Sequence, residues 1–294
     1  LTITGGELAL AGGSVATPAG VTLTLSPTTL ARGWGSFGGQ GTLANQGTIR
    51  HESNVSNLTV LNVQNTGTIE ALNGATVVLS GPWGGGGLVR ATSGTILLGG
   101  SFTQSAAQFE QGAGGTFVVN GTLDLGGGTL TLNATTGGWF LNGGTLRNGT
   151  LELLGGVKLV ATGNGLLQDL TILGTVTGQT FNSFRLQGNL DLTAGLIELP
   201  QSTLNVVNSL TITGGELALA GGSVATPAGV TLTLSPTTLA RGWGSFGGQG
   251  TLANQGTIRA DVNGAILTIQ PGTFVNTGDL EQINGGTLVA PGFP

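Results

Sequence analysis

Carboxylates are the most numerous reactive side chains in this chain, and two pairs of them are candidates for glycoside chemistry. The chain has thirteen Asp and Glu residues and one His. Glycoside hydrolases need two carboxyl groups roughly 5 to 10 Å apart. Asp191 with Glu198, or Glu152 with Asp169, could approach one another across successive turns of a repeat. Because the acids are otherwise spread singly and His51 has no obvious partner, we expect surface carboxylates rather than a catalytic pair.

Metal and phosphate sites have less support in the sequence. The absence of Cys excludes disulfides and thiolate metal sites. The calcium-loading pattern GGxGxDxU is not matched, because GGGGLVR at 84–90 lacks the Asp and GNGLLQD at 163–169 has the wrong spacing. The glycine run also lacks the Lys-Ser/Thr of a phosphate loop. We therefore predict no catalytic residue, no metal site and no cofactor.

Tryptophan offers a different kind of chemistry, which is recognition. Four tryptophans lie beside glycine, in RGWGSF (twice), GPWGGGG and GGWF. Two interpretations stay open: the rings cover the core or a loop, or they form an exposed platform for a sugar ring or a neighbouring filament. An arginine two residues before each RGWGSF tryptophan could assist by stacking or pairing. The candidate exposed contact residues are Trp34, Trp83, Trp139, Trp243, Arg32 and Arg241.

The overall charge excludes several partners. Only 7% of residues are charged, against about 25% in average proteins. The eight basic residues are scattered along the sequence and the net charge is −5, so nucleic acid is not an expected partner. No apolar stretch approaches eighteen residues, so we expect no membrane-spanning helix in this segment.

An internal repeat determines which elements carry these side chains. Residues 1–50 recur without change at 210–259. Beneath this duplication, units containing Gly-Thr and an apolar residue follow one another at roughly 20 to 25 residues, as expected when one turn of a solenoid is one repeat. Exact identity over fifty positions is typical of long tandem arrays, so we expect the chain to be a window on something longer.

Within each unit the apolar residues alternate with polar ones. Leu123 and Leu125, Leu151 and Leu153, and many similar pairs are two residues apart, which places them on one face of a short strand. Glycine makes up 58 of the 294 residues and interrupts every window that could form a helix. The sequence predicts an all-β protein, a parallel β-solenoid of about fourteen coils with essentially no α-helix, as a single continuous solenoid over 1–294.

This fold gives glycine and the uncharged polar residues specific positions. Corners between strands require positive φ and close backbone stacking, which glycine allows without steric cost. Like charges stacked about 4.8 Å apart would repel each other, whereas Thr, Asn and Gln ladders form hydrogen bonds. We therefore expect aliphatic side chains inside, glycine at the corners and uncharged ladders on the faces.

The repeat units resemble those of very large bacterial surface proteins. GTLANQGTIR, NTGTIEALNGATVVLSG and NTGDLEQINGGTLVA are similar to the repeats of filamentous-haemagglutinin and autotransporter-passenger adhesins. The resemblance covers essentially the whole chain. It implies a right-handed parallel β-helix, secretion or display on the cell surface, and structural, adhesive or matrix roles without catalytic residues.

From these observations we expect a non-enzymatic extracellular protein that forms part of a filament or a long adhesin. Neither LTITGG nor APGFP resembles a capping element, so expected partners are further copies, stacked end to end or laterally, or continuation of the same chain, with surface glycans as a further possibility. A polysaccharide-binding or polysaccharide-degrading β-helix is the main alternative. Threonine arrays such as TLTL raise ice binding as a minor one.

Overall fold

The computed structural model describes residues 1–103 and 107–292. It is a parallel β-solenoid of about 14 turns, with 64% strand and no helix in the described part. The prediction of fold class is therefore confirmed, while the right-handed sense of the coil and the single continuous solenoid stay predictions. The chain divides into two compact units: unit 1 comprises Leu1–Gly128 and Leu132–Phe140, and unit 2 comprises Thr129–Thr131 and Leu141–Pro294.

Short strands make up both units. Unit 1 contains β1 Thr2–Ile3, β2 Gly6–Val15, β3 Thr22–Leu25, β4 Thr29–Phe37, β5 Thr42–Asn45, β6 Thr48–His51, β7 Asn57–Leu61, β8 Val63–Asn65, β9 Thr68–Leu72, β10 Thr76–Ser80, β11 Leu88–Thr92, β12 Thr95–Leu98, β13 Ser101–Thr103, β14 Gln108–Gln111, β15 Thr116–Val119 and β16 Thr122–Asp124. Residues of both units occur in β17 Thr129–Leu132 and β18 Trp139–Asn142.

Two of the early strands of unit 2, β21 (Gly165–Gly178) and β22 (Ser183–Pro200), are the longest of the described strands. Unit 2 contains β19 Thr145–Leu153, β20 Lys158–Thr162, β21 Gly165–Gly178, β22 Ser183–Pro200, β23 Thr203–Val206, β24 Leu210–Thr213, β25 Glu216–Ala225, β26 Thr231–Leu234, β27 Leu239–Gly247, β28 Thr251–Asn254, β29 Thr257–Ala260, β30 Ile266–Ile269, β31 Thr273–Asn276, β32 Asp279–Gln282 and β33 Thr287–Val289. The longest strands bend around corners and therefore contribute to more than one face.

Parallel pairing between successive turns creates three faces in each unit. In unit 1, face A is β1-β3-β5-β8, face B is β2-β4-β6-β9-β11-β14, and face C is β2-β4-β7-β10-β12-β15. In unit 2, face A ends in β24-β26-β28-β31, face B in β25-β27-β29-β32, and face C in β25-β27-β30-β33.

The inward side chains of each face stack directly on one another. Ile49, Ile69, Val89 and Phe109 are successive register partners on face B of unit 1, and all four are buried. Their strands place every second side chain inside, as the alternation in the sequence predicts. This register holds a fixed set of outward side chains in columns, and those columns carry the candidate sites.

Asparagine ladders support the stacking at a corner of each unit. Asn45 Nδ2 donates to Asn65 Oδ1 at 2.7 Å, and Asn254 Nδ2 donates to Asn276 Oδ1 at the same distance. Both donors are fully buried, so the bonds satisfy amide groups that would otherwise be costly to desolvate. Uncharged ladders are therefore present, but the donors of these two are buried at corners, whereas the sequence predicted ladders on the outward faces.

Candidate functional site

Most basic residues of the chain lie in columns on face B. In unit 1 the register partners run Arg32, Arg50, Glu70, Arg90 and Glu110. The corresponding column of unit 2 contains Arg241, Arg259 and Glu281. We call these columns the charge stripes. They hold five of the eight basic residues, so the sequence-based description of scattered bases was wrong: the fold collects them.

From Arg50 to Glu110 the charges of the first stripe alternate in sign, whereas Arg32 and Arg50 are register partners of like charge. Glu70 is only 6% exposed at its side chain and lies between two arginines. Arg50 Nε is 2.6 Å from Glu70 Oε1, and Arg90 Nη1 is 3.8 Å from Glu70 Oε2. Arg90 Nη2 donates to Glu110 Oε2 at 3.0 Å. The stripe is therefore a chain of ion pairs rather than an open basic surface.

The two predicted contact arginines pair with carboxylates. Arg32 Nε donates to Glu7 Oε1 at 2.9 Å, and its Nη1 donates to Glu52 Oε1 at 3.3 Å. The hydrogen bond to Glu7 and the charge of that carboxylate raise the pKa of Arg32 above its ordinary value. Stacking on an aromatic ring and pairing were both possible roles for Arg32, and these contacts show pairing with carboxylates.

Arg241, the copy of Arg32, pairs in the same way. Its Nε lies 2.7 Å from Glu216 Oε1, and its Nη1 donates to Asp261 Oδ2 at 3.4 Å. Glu216 is the copy of Glu7, whereas Asp261 stands where the first copy has Glu52. The duplicated arginine therefore finds a carboxylate on each side in both settings.

Two of the four tryptophans are buried, so the prediction of exposed contacts was wrong for Trp83 and Trp139. Trp83 is 5% exposed and stacks on Phe102 with ring centroids 4.1 Å apart. Trp139 is 0% exposed and packs edge-on against Phe109 at 4.7 Å. Aromatic rings fill these parts of the interior of unit 1. The glycines around them do not mark an exposed position.

Their indole nitrogens also have partners inside the protein. Trp83 Nε1 donates to the carbonyl oxygen of Gly99 at 2.8 Å, and Trp139 Nε1 donates to that of Thr136 at 3.2 Å. Buried indole groups normally require such acceptors. Both rings therefore belong to the structural interior of unit 1.

The other two tryptophans lie at the corner between faces B and C, which we call the BC corner. Trp243 is 36% exposed and Trp34 is half-buried. In unit 2 the ring covers Gly221 of the preceding turn, where φ is +82° and an added Cβ would lie 2.6 Å from Trp243 Cη2. Trp34 covers Gly12 in the same way. Only glycine allows the ring to lie so close, which explains the glycines of this repeat.

A groove runs beside Trp243 at the BC corner of unit 2. Its volume is about 380 Å³, and its lining includes Glu198, Pro200, Leu219, Arg241, Trp243 and Val262. This volume lies in the range of small-molecule sites. The groove therefore combines one aromatic ring, apolar walls and two charged side chains, and we call it the corner groove.

Phe181 is a second exposed aromatic residue at the same corner, and it is not among the contact residues predicted from the sequence. It is 85% exposed with φ +60°, an uncommon conformation for a bulky residue. Phe181 N donates to Gln201 O and Gln201 N donates to Ala220 O, both at 3.0 Å, and Ala220 is the register partner of Trp243. The available signal was a lone aromatic within the polar segment TGQTFNS.

The first predicted carboxylate pair is engaged elsewhere. Asp191 Oδ1 accepts hydrogen bonds from Thr193 N at 2.9 Å and Thr193 Oγ1 at 2.6 Å, within its own turn. Glu198 Oε2 accepts a hydrogen bond from Lys158 Nζ at 2.7 Å. Each carboxylate therefore has a structural partner of its own.

The second predicted pair is similar. Glu152 Oε2 accepts a hydrogen bond from Thr131 Oγ1 at 2.8 Å, and Asp169 Oδ1 accepts one from Asn189 N at 3.0 Å. Neither predicted pair is joined by a contact among residues 1–103 and 107–292. Each of the four acids instead accepts a hydrogen bond from another residue.

The single histidine lies inside unit 1. His51 is 0% exposed, and its Nε2 lies 2.6 Å from the carbonyl oxygen of Ser56. Within the described ranges, no group of three or more His, Asp or Glu side chains lies close enough to hold a metal ion.

Comparison with known proteins finds no matching family model, no matching curated protein and no matching solved structure. The described segments also contain no helix of the length and apolar character needed to cross a membrane. Of what the resemblance to adhesin repeats implies, the fold supports the architecture, a β-helix built from repeats.

Proposed function

We propose that this chain is a structural, non-enzymatic part of an extracellular filament or long adhesin. The observation that carries the proposal is the in-register parallel stacking within each unit. An interior turn is hydrogen-bonded to the turn before it and the turn after it, as β9 is to β6 and β11. Many such bonds in parallel, over a close-packed aliphatic interior, resist deformation together.

The side-chain chemistry agrees with a role outside the cell. The chain contains neither Cys nor Met, so it lacks the side chains that oxidise most readily. Its few charged groups are largely neutralised in pairs on face B. Such a surface is suited to a long-lived scaffold that must remain intact without repair.

The duplication supports assembly from many equivalent turns. Residues 1–50 and 210–259 contain the same outward-facing residue types, so a second set of the same side chains occurs 209 residues later. Repeat proteins use this property to build extended surfaces. Equivalent turns can be added either by self-association of separate copies or by continuation of the solenoid within one chain.

Negative-stain electron microscopy of the native protein, combined with labelling of intact cells by an antibody against this segment, tests the proposal. We expect elongated assemblies and labelling of the cell exterior. Short isolated monomers, or labelling only after the cells are permeabilised, would contradict it.

A further inference from the structure

The corner groove has the features of a ligand site rather than of a packed corner. Trp243 keeps 36% of its surface exposed although one part of its ring covers Gly221. Pro200, Leu219 and Val262 provide apolar contact beside the ring. Exposed aromatic rings within a groove are the usual anchors of ligand recognition.

The charges of the groove indicate what kind of ligand it suits. Arg241 is paired with Glu216 and Asp261, and Glu198 is paired with Lys158. An ionic ligand would have to compete with these existing pairs. A neutral ligand rich in hydroxyl groups can use the remaining hydrogen-bonding capacity of the same side chains without breaking them.

We propose that the corner groove binds a neutral carbohydrate, with one sugar ring stacked on the exposed face of Trp243. Arg241 and Glu198 then donate to and accept from the sugar hydroxyls, while Pro200 and Val262 contact the C–H surface of the ring. This inference names the ligand class for the adhesive role proposed above and rests on it.

Phe181 extends the binding surface along the same corner. The chain of contacts from Phe181 through Gln201 and Ala220 to Trp243 crosses three turns, which is about 14 Å at about 4.8 Å per turn. An aromatic side chain held in a strained, exposed conformation is a functional candidate on physical grounds. The ligand is therefore an oligosaccharide long enough to reach from Trp243 to Phe181.

The duplication supplies a matched control. Trp34 has the same flanking sequence, the same glycine beneath its ring and the same arginine beside it. With the offset of the duplication, however, Val262 is replaced by Ser53. Trp34 therefore has the same ring without the apolar contact that Val262 adds to the corner groove.

The test uses the 294-residue chain and a panel of neutral oligosaccharides of two to six glucose, galactose, mannose or N-acetylglucosamine units, with binding measured by calorimetry. We expect at least one hexasaccharide to bind and Trp243→Ala to weaken it at least tenfold. Trp34→Ala should change the affinity less than twofold. Trp243→Phe, which keeps a ring, should retain most binding. Far-ultraviolet circular dichroism checks that each variant is folded.

Chain length and charge provide two further readouts. Phe181→Ala should weaken binding of the hexasaccharide while leaving a disaccharide unaffected. No binding by any member of the panel, or equal losses in Trp34→Ala and Trp243→Ala, would overturn the proposal. Tighter, salt-dependent binding of a sulfated oligosaccharide would overturn the neutral-ligand assignment.

The two proposals can fail separately. Filaments on the cell surface that bind none of these sugars would remove only the carbohydrate site. Sugar binding that depends on Trp243 in a protein confined to the cell interior would instead remove the extracellular scaffold.

Discussion

Leu8 and Leu217 occupy the same position in the two identical fifty-residue segments, yet their surroundings differ. Leu8 is half-buried and has one register partner among the described residues, Ala31. Leu217 is fully buried between two partners, Ile197 and Ala240. The same contrast holds along the segment, since Leu1 is 84% exposed whereas Leu210 is 5% exposed. A turn of this solenoid thus obtains much of its burial from its neighbours.

Several local elements, in contrast, are the same in both copies. Strand β3 Thr22–Leu25 corresponds to β26 Thr231–Leu234, and β5 Thr42–Asn45 corresponds to β28 Thr251–Asn254. The Trp-over-Gly contact also forms in both settings. Sequence therefore determines the path of a turn, whereas the adjacent turns determine how much of it is accessible to a ligand or to water.

The largest difference between the copies should appear at the buried leucine. Leu217→Ala leaves a cavity between two turns and should lower the free energy of unfolding by about 2 to 5 kcal/mol. Leu8→Ala removes a side chain that already contacts water and should cost about 1 kcal/mol. Urea unfolding of both variants measures the two losses in free energy of unfolding. Equal costs would mean that neighbouring turns contribute little.

A smaller difference should separate two glutamates that pair with duplicated arginines. Arg50 Nε lies 2.6 Å from Glu70 and Arg259 Nε lies 2.6 Å from Glu281, but the glutamate side chains are 6% and 37% exposed. Glu70→Gln removes the charge of the buried carboxylate that Arg50 and Arg90 share, leaves Arg50 without its counter-ion, and should lower the free energy of unfolding by about 1 to 3 kcal/mol. Glu281→Gln should cost less than about 1 kcal/mol and lose its effect in high salt. Urea unfolding of both variants at increasing salt concentrations measures the two losses in free energy of unfolding. The comparison decides whether burial of the glutamate sets the strength of the ion pair.

The smallest difference is expected at the glycines beneath the tryptophans. Gly221 and Gly12 have φ of +82° and +89°, and a Cβ at either position meets the indole ring. Gly221→Ala and Gly12→Ala should each lower the free energy of unfolding by about 1 to 3 kcal/mol. Each should also shift the fluorescence emission of the tryptophan whose ring is displaced. A large cost at only one of them would show that the neighbouring turns, rather than the local path, control this contact.

The architecture could be predicted because it depends on local patterns. Alternating pairs such as Leu151 and Leu153, interrupted by glycine, specify short strands, and the repeat implies parallel stacking. The first inference needs only residues within one turn, and the second needs only the comparison of successive units. The Asn ladders likewise require one amide at a corresponding place in successive turns.

The charge stripes and the groove could not be predicted in this way. The register offset along face B is 18 residues from Arg32 to Arg50 but 20 from Arg50 to Glu70, so a fixed period does not bring these residues together. Burial of Trp83 depends on Phe102, which lies 19 residues away in the sequence. The groove beside Trp243 is lined in part by Val262, which lies outside the duplicated segment. Each of these features depends on contacts between turns of unequal length.

The unbroken identity of residues 1–50 and 210–259 also bears on how the chain must be synthesised. Two segments with the same strand edges are interchangeable, so a denatured chain can exchange one for the other or entangle with a second molecule by domain swapping. Synthesis from the amino terminus avoids this competition, because the first segment can pair with its own neighbours before the second exists. A protein of this kind is best suited to vectorial folding, in which each turn forms on the template of the turn before it.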